Sequence, residues 1–423
     1  MQRQAAALLL LLLTAKTAAA WDMSMTSLAD KLGDAIEVKG IQQGSIQSKL
    51  PLVLNVWPFV NATMAGWAAL NNASSSAPWL DAVERVGNHC EDFPAECGWS
   101  VGRGSNADES GDVTLDAMIM RGDSMDAGAV AYLKDVRNAI SAARLVMEHT
   151  QHTILAGAAA TRFAQQMGLP LQTLNTERST HAWQQRVAAN CTPNWRVDVE
   201  PADSCGPYTP LPPSSNATDE APAGGIGGRR LLAASTKSHH GFMGSHDTVS
   251  MAAIGADGKM AAGSTTNGWF FKVPGRTGDS SVPGAAAYVD GEVGACGCTG
   301  QGDINLRFLM CYQAVEFMRQ QMDPKLAAEA ALRRVVRRYS GAGATFGLFA
   351  VNATGYHGGA AFGWERDNMT RWMAGNPQAP EQLRQAAFPW AYAYQDASTG
   401  GKVVWVEVED LSRIPEPQQP RRR

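Results

Sequence analysis

The sequence predicts an α/β protein in which strands and helices alternate in two parts, residues 21–205 and 248–410. In both parts, apolar runs of strand length alternate with longer stretches that have the 3.6-residue periodicity of helices. Between them, residues 206–247 are rich in proline, glycine and serine, as exposed linkers are. Because 45% of the 423 residues are hydrophobic and 18% are charged, the chain can form a large core.

Residues 1–20 have the pattern of a secretory signal peptide. Arg3 precedes an apolar run at residues 5–13, and small residues follow at Ala18 and Ala20, where cleavage is expected. That run is too short to span a bilayer, and no other stretch reaches about 18 apolar residues. We therefore expect a protein of the secretory pathway without a membrane anchor. Six N-x-S/T sequons agree with this route: Asn61, Asn72, Asn190, Asn216, Asn352 and Asn368.

The charge balance argues against nucleic acid as a partner. The formal net charge is -4, and basic runs such as residues 229–230 and 421–423 are short. Proteins that bind nucleic acid need a broad basic field to neutralise phosphates. We therefore expect no nucleic-acid partner.

The first part begins with an apolar run of strand length, "LPLVLNV" at residues 50–56, which the helix-periodic "ATMAGWAALNN" follows. Next, "VTLDAMIM" and "MDAGAVAYL" flank "RGDS", and this pattern predicts a hairpin. An amphipathic helix is expected near residues 134–149, with further helices up to Ala189. Strands covered by helices should therefore form this part.

The second part opens with "TVSMAAIGADGKMAAGSTTNG", which alternates around an "ADGK" turn and predicts a hairpin beginning at Thr248. The stretches "GQGDINLRFLMCYQAVEFMRQ" and "DPKLAAEAALRRVVRRYS" each predict a helix, and "ATFGLFAVNA" and "VVWVEVED" each predict a strand. Residues 411–423, which end in "PEPQQPRRR", are expected to be disordered.

Seven cysteines in a secreted chain predict disulfides. Two pairs flank short loops and are expected to close them, Cys90 with Cys97 and Cys191 with Cys205. No second Cys or His cluster completes a four-ligand site beside "CGC", so we expect no structural zinc. A third disulfide and a buried thiol stay open for the remaining three residues: Cys296, Cys298 and Cys311.

Two further motifs have plainer interpretations than ligand binding. His149 and His152 have a spacing that two metal ligands on a helix can have, but packed or solvated helical histidines are commoner. The segment "GGIGGRR" superficially resembles a phosphate-binding loop, yet no strand precedes it, so it reads as a flexible linker. We expect neither a metal nor a cofactor.

Thr248 stands where the linker becomes an apolar strand, in the segment "SHDTVSM". If the bond between Asp247 and Thr248 were cut, Thr248 would carry a hydroxyl and a free α-amine at the start of a buried strand. An α-amine has an ordinary pKa of about 7.7 to 8.0, so it can act as the general base for that hydroxyl. In isolation, "HDT" is better explained by a turn in which Asp247 caps the strand.

Eight segments occur in an order that covers both parts, from about residue 50 to about residue 358: "LNVWPFVNAT", "SVGRGSNADESGDVTLDAMIMRG", "MEHTQHTILAG", "SCGPY", "HDTVSM", "AAGSTTNG", "GRTGDSSVPGAAAY" and "TGQGDINLRFL". This order resembles the glycosylasparaginases (aspartylglucosaminidases), a family of N-terminal nucleophile hydrolases. The resemblance implies a four-layer αββα sandwich and a precursor that cuts itself before Thr248. It also implies hydrolysis of the amide between N-acetylglucosamine and asparagine in lysosomal glycoprotein breakdown. We accordingly expect glycosylated asparagine as substrate, two alpha and two beta chains, and a lysosomal, vacuolar or extracellular location.

The resemblance also assigns catalytic roles. Thr248 would be the nucleophile, with Thr266 beside it. Thr299 and Gly300, which precede a helix expected near Gly302, would stabilise the oxyanion with a hydroxyl and a backbone N–H. In isolation, "TGQG" would be only a helix cap.

Substrate-binding roles follow in the same way. Arg276 and Asp279 would hold the α-carboxylate and α-amine of asparagine through charge-assisted contacts, which internal residues of a peptide cannot make. Trp57 would form a pocket wall, and Ser100 would bond the amine of Thr248. Without the resemblance, "RTGD" would be a turn with a local ion pair.

Several features depart from the family. Ser245 stands where glycine is expected, which should slow self-cleavage, and His246 has no required catalytic role. The linker is longer than usual, and the last hundred residues lack the cysteines of further disulfides. The tail after about Trp364 matches poorly.

Three alternatives stay open. An isoaspartyl peptidase and L-asparaginase would share Thr248 and the Arg276–Asp279 clamp, but the signal peptide, the cysteines and the aromatic motif at residues 57–59 favour a glycosylated substrate. A threonine endopeptidase would not need a clamp for a free amino-acid head group. A secreted glycoprotein with only a binding role would remain uncut before Thr248.

Overall fold

The computed structural model describes residues 35–192, 194–202, 204–212, 248–339, 344–364 and 390–414. The predicted signal peptide, most of the predicted linker including Asp247, and the tail after residue 414 therefore lie outside the described residues. Within the described ranges, no helix is long and apolar enough to cross a membrane.

The strands, numbered in chain order, are β1 (Ile36–Lys39), β2 (Ile46–Gln47), β3 (Leu52–Asn55), β4 (Leu115–Arg121), β5 (Ala127–Leu133), β6 (Ile154–Ala156), β7 (Val199–Glu200), β8 (Thr209–Pro210), β9 (Thr248–Ile254), β10 (Met260–Thr266), β11 (Ala287–Asp290), β12 (Gly294–Gly300), β13 (Phe346–Asn352), β14 (Tyr356–Phe362), β15 (Trp390–Asp396) and β16 (Val403–Val408). The α-helices are α1 (Val60–Leu70), α2 (Pro78–Asp92), α3 (Ala139–His149), α4 (Gly157–Gln166), α5 (Glu177–Ala188), α6 (Gly302–Phe308), α7 (Met310–Arg319) and α8 (Pro324–Tyr339). Short 3-10 turns occur at Pro94–Cys97, Asp279–Ser281 and Leu411–Arg413.

Two sheets lie face to face. The larger has the strand order β1-β16-β15-β3-β9-β10-β4-β5-β6, and the smaller has the order β11-β12-β13-β14-β2. Helices α1 to α4 pack on the outer face of the larger sheet, and α7 and α8 pack on the outer face of the smaller sheet. The layers are therefore helix, sheet, sheet and helix, and strands from both predicted parts of the chain share the larger sheet.

Small side chains allow this close stacking. Strands β9 and β10 are buried along their whole length, because α2 covers one face and the smaller sheet covers the other. A Cβ atom added at Gly297 of β12 would lie 3.1 Å from Ser250 Cβ of β9 and 2.5 Å from the Phe349 ring. Residue 297 therefore has little room for a side chain where the two sheets meet.

The two predicted hairpins are present. Strands β4 and β5 form one, and β9 and β10 form the other, with Thr248 as the first residue of β9. The helix predicted near residues 134–149 begins later, at Ala139, because residues 134–138 form the loop that leads into it.

The single helix predicted after "TGQG" is wrong. Leu309 has a left-handed backbone with φ of 49°, and this residue separates α6 from α7. The apolar periodicity continues across the break, and no glycine or proline marks it in the sequence.

Both predicted loop disulfides are formed, Cys90–Cys97 and Cys191–Cys205. Of the three remaining cysteines, two form a disulfide and one is a free thiol. Cys296 on β12 pairs with Cys311 on α7, and Cys298 is a buried free thiol. The third disulfide therefore ties the smaller sheet to the helix that covers it.

Candidate active site

Thr248 lies at the end of a central strand, opposite Thr266. It is the first residue of β9 and pairs in register with Thr266, the last residue of β10. Only 3% of Thr248 is exposed, and its hydroxyl lies 3.5 Å from the Thr266 hydroxyl. An antiparallel hairpin with strands of equal length brings its two outer ends together, so the predicted hairpin accounts for this pair.

Asp279 approaches the same hydroxyl from the 3-10 turn that it begins. The Thr248 hydroxyl donates to Asp279 Oδ1 at 3.3 Å, and Asn305 Nδ2 donates to Asp279 Oδ2 at 2.6 Å. Burial raises the pKa of Asp279 from 3.8 to about 6, although the Asn305 hydrogen bond and the Arg276 charge act in the opposite direction. Burial therefore outweighs the nearby cation.

Arg276 extends the charged group beyond Asp279. Its Nη2 contacts Asp303 Oδ2 at 2.7 Å, and 14% of the Arg276 side chain is exposed against 55% for Asp303. Among the described residues, Arg276 Nε is buried without a hydrogen-bond partner. A Cβ atom added at Gly302 would lie 3.0 Å from Arg276 Nη2 and 3.1 Å from Asp279 Oδ1, so α6 starts close to both groups.

Thr299 and Gly300 end strand β12, just before α6. Thr299 is completely buried, and its hydroxyl has no hydrogen-bond partner among the described residues. Gly300 has φ of 131°, and a Cβ there would lie 2.2 Å from the Thr345 carbonyl oxygen, so the position requires glycine. A buried hydroxyl without a partner retains a donor for a further group.

Trp57 contacts the candidate nucleophile through the backbone. Its indole nitrogen donates to the Thr248 carbonyl oxygen at 2.9 Å. The ring stacks on Phe59 and meets Trp364 edge-on, with ring centroids 6.1 and 5.4 Å apart. The sequence suggested only a pocket wall for Trp57.

Ser100 is buried near the Cys90–Cys97 disulfide, and its amide donates to the Cys97 carbonyl at 3.0 Å. In the part of the chain that the structure describes, it makes no hydrogen bond with Thr248. Of the residues expected at the site, the structure thus joins Thr248 to Thr266, Asp279 and Trp57 by direct contacts, and it puts Arg276 beside Asp279.

The sequence did not single out three polar residues of this region. Asn305 and Asp303 of α6 contact Asp279 and Arg276. Asp116 of β4 accepts hydrogen bonds from the amides of Gly278 and Tyr132, at 2.8 and 2.7 Å. Only the position of α6 directly after "TGQG" could have pointed to Asp303 and Asn305.

The histidines considered as metal ligands lie away from this group. His149 ends α3, and His152 is exposed in the following loop. Within the described ranges, no cluster of three or more His, Cys, Asp or Glu side chains is arranged to hold a metal ion.

The four layers, together with a buried threonine that opens a central strand, have the organisation of the N-terminal nucleophile hydrolases. The profile of the asparaginase family matches residues 34–382, so the chain belongs to this family, as the resemblance predicted. The match extends beyond the segments quoted from the sequence, at both ends.

Relatives of two names have similar identities. The "Probable isoaspartyl peptidase/L-asparaginase 3" of Arabidopsis thaliana is 42% identical over 323 residues, which cover 75% of this chain and 86% of that protein. The N(4)-(Beta-N-acetylglucosaminyl)-L-asparaginase of Rattus norvegicus is 43% identical over 327 residues, 76% of this chain and 87% of that protein. The Mus musculus protein of the same name is 44% identical over 294 residues, 69% of this chain and 79% of that protein. The chain is therefore an amidohydrolase, and identity alone does not separate the two substrate classes.

Proposed function

We propose that the chain cuts itself between Asp247 and Thr248 and then hydrolyses the amide bond between N-acetylglucosamine and asparagine. The observation that carries the proposal is the setting of Thr248. A threonine opens a buried central strand, and its hydroxyl lies 3.3 Å from a buried carboxylate in a chain of the asparaginase family.

Self-cleavage needs no group beyond the chain and water. Thr248 Oγ attacks the carbonyl carbon of Asp247, the hydroxyl proton passes to the Thr248 nitrogen, and the peptide C–N bond breaks as the acyl group moves to oxygen. Water then hydrolyses the ester, which leaves a carboxylate on Asp247 and a free α-amine on Thr248. The new chain end has the nucleophile and its base on one residue.

Substrate hydrolysis repeats the same attack. The α-amine of Thr248 takes the hydroxyl proton while Oγ forms a bond to the side-chain carbonyl carbon of the asparagine. The proton passes to the leaving nitrogen, the C–N bond breaks, and the glycosylamine departs. Water hydrolyses the aspartyl ester on Thr248 and releases aspartate.

The surrounding groups suit the charges of this substrate. Arg276 binds the α-carboxylate and Asp279 binds the α-ammonium, which supports a requirement for a free amino-acid head group. The Thr299 hydroxyl and the Gly300 amide donate to the oxyanion, and the unpartnered, buried hydroxyl of Thr299 supports this role. Thr266 contacts the nucleophile and orients it.

The choice of a glycosylated leaving group is supported by the two rodent relatives that are named N(4)-(beta-N-acetylglucosaminyl)-L-asparaginase. Trp57, Phe59 and Trp364 form a buried apolar cluster beside Thr248. Three disulfides support an oxidising compartment, which agrees with a lysosomal, vacuolar or extracellular location. We further propose an assembly of two alpha and two beta chains, which light scattering of the processed protein would test.

The isoaspartyl peptidase is the second candidate, because a relative with that name matches most of the chain. Both activities use the same nucleophile, clamp and oxyanion donors, so only the leaving group separates them. The test is the ratio of kcat/KM for N-acetylglucosaminyl-asparagine to that for a β-aspartyl dipeptide, measured on one processed sample. We expect the glycosylated substrate to be favoured by at least about tenfold. A ratio below one would transfer the assignment to the isoaspartyl peptidase.

A further inference from the structure

Asn305 connects Asp279 to the helix that follows the candidate oxyanion residues. It is the fourth residue of α6 and is completely buried. Its Nδ2 donates to Asp279 Oδ2 at 2.6 Å and lies 3.4 Å from the sulfur of Cys298. Because Oδ2 is held in this way, the other carboxylate oxygen is left facing the Thr248 hydroxyl.

The carboxylate fixes the orientation of the Asn305 amide. An ionised carboxylate only accepts hydrogen bonds, so it must face the amide nitrogen and not the amide oxygen. Asn305 Oδ1 is buried without a hydrogen-bond partner among the described residues. The Asn305 amide therefore acts through its nitrogen, and the shortest hydrogen bond of that nitrogen is to Asp279.

Opposing effects act on the Asp279 carboxylate. Burial raises its pKa most strongly, the Asn305 hydrogen bond and the Arg276 charge lower it, and the Asp303 charge raises it. The elements packed around Asp279 contribute these charged or titratable groups: Arg276, Asp303, Asp116, Tyr132, Cys298 and, in the processed protein, the α-amine of Thr248.

We propose that Asn305 is a positioning residue for Asp279, which keeps this carboxylate ionised within the core and directs Oδ1 towards the α-ammonium of the substrate. The inference rests on the proposed function, because it takes Asp279 as the group that binds this ammonium. It does not depend on the leaving group, since glycosylated and β-aspartyl substrates share the same head group.

Two variants separate the hydrogen bond from packing. Asn305→Leu replaces the amide by an apolar side chain of similar shape, and Cys298→Ala removes the other neighbour of the same nitrogen. Calorimetry of L-aspartate binding to the processed proteins, from about pH 4.5 to 8, gives the readout. In the wild type, affinity should fall as the pH drops through about 6.

Asn305→Leu should move this midpoint upward by about one pH unit, because a hydrogen bond that favours the ionised form has been lost. Its affinity should be about fivefold below that of the wild type at pH 6 and nearly equal at pH 8. Cys298→Ala should keep the wild-type midpoint. If the leucine variant does not fold, Asn305→Ser repeats the comparison, because the shorter serine side chain does not reach Asp279.

The proposal is overturned by an unchanged midpoint in both Asn305 variants, or by an equal shift in Cys298→Ala. A loss of affinity that is the same at every pH would also overturn it, because it indicates a purely structural role. A preference for β-aspartyl dipeptides over the glycosylated substrate would instead contradict the proposed function and leave this result intact.

Discussion

The indole nitrogen of Trp57 donates a 2.9 Å hydrogen bond to the main-chain carbonyl of Thr248. Trp57 follows β3, the strand that pairs with β9, so this bond fixes the end of β9 at the candidate nucleophile. A side chain that holds the nucleophile's own carbonyl acts on the geometry of attack, and its loss should lower kcat more than it raises KM.

Trp57→Phe keeps the aromatic contact and removes the hydrogen bond. Since a neutral hydrogen bond contributes about 0.5–1.5 kcal/mol, we expect kcat to fall by about two- to tenfold. Trp364→Phe is the matched control, because its indole donates to the Phe346 carbonyl and not to Thr248. Steady-state kinetics of both variants test this, and a change confined to KM in Trp57→Phe would leave only the pocket-wall role.

Self-cleavage should produce a chain that begins at Thr248. N-terminal sequencing of the purified protein is expected to read Thr-Val-Ser-Met from one chain. Thr248→Ala should stay uncut and inactive because it lacks the attacking hydroxyl, whereas Thr248→Ser should cut slowly. A single intact polypeptide with full activity would rule this mechanism out.

Arg276→Ala should weaken substrate binding and leave self-cleavage intact. A charge-assisted hydrogen bond contributes about 1.5 to 3 kcal/mol, so KM should rise by about ten- to 150-fold with a smaller change in kcat. A substrate with an amidated α-carboxylate is the matched control, since the wild type and the variant should hydrolyse it equally slowly. Rapid hydrolysis of that substrate by the wild type would argue against the clamp.

Local patterns predicted the centre of the site. The alternation around "ADGK" gave strands β9 and β10, and equal strand lengths then bring Thr248 opposite Thr266. Asn305 lies 26 residues after Asp279, and Glu91 bonds Thr265 across 174 residues. Such contacts arise when helices and sheets pack, and no short-range periodicity encodes them.

Some strands were not predicted from the sequence, because packing between the layers determines their composition. Strand β12 reads "GACGCTG", in which Thr299 is the one β-branched residue and no residue is aromatic, although strands are recognised by such residues. It forms a strand because the closely stacked sheets need small side chains there, as the contact of Gly297 with Ser250 indicates. Strand β14, which reads "YHGGAAF", is likewise rich in glycine and alanine.

Glu91 should make the protein less stable as the pH rises. Its Oε1 accepts from the Thr265 hydroxyl and the Ile140 amide at 2.6 and 3.1 Å, and its Oε2 has no partner among the described residues. Burial raises the pKa of Glu91 from 4.5 to about 8. Between these values the folded state retains a proton that the unfolded state releases, so stability falls by about 1.4 kcal/mol per pH unit.

Glu91→Gln removes this titration. We expect the free energy of unfolding of the variant to increase relative to that of the wild type as the pH rises from about 4.5 to 8. Below about pH 4.5 the difference between the two proteins should be constant. Thermal unfolding at several pH values measures it, and Glu37→Gln, at an exposed position of β1, controls for the loss of one charge. A constant difference across this range would show that Glu91 does not titrate on unfolding.

His357 should make the protein less stable as the pH falls, which is the opposite of the effect of Glu91. Its ring bridges the Ser48 hydroxyl and the Tyr392 hydroxyl, at 3.0 and 2.8 Å. Burial lowers the pKa of His357 from 6.5 to about 3; the Asp396 charge opposes this shift, and the Lys39 charge adds to it. Below pH 6.5 the unfolded state binds a proton that the folded state does not bind, so stability falls as the pH drops.

The contributions of Glu91 and His357 therefore cancel between about pH 4.5 and 6.5, where one slope is negative and the other positive. In His357→Gln, which keeps a polar side chain beside Ser48, stability relative to the wild type should improve by about 1.4 kcal/mol for each pH unit below 6.5. At neutral pH the variant should be the less stable protein, because two buried hydrogen bonds are altered. Unfolding temperatures of the wild type, Glu91→Gln and His357→Gln at pH 4.5, 5.5 and 6.5 measure both slopes. If the stability of His357→Gln followed that of the wild type in parallel over this range, His357 would not be the group that titrates.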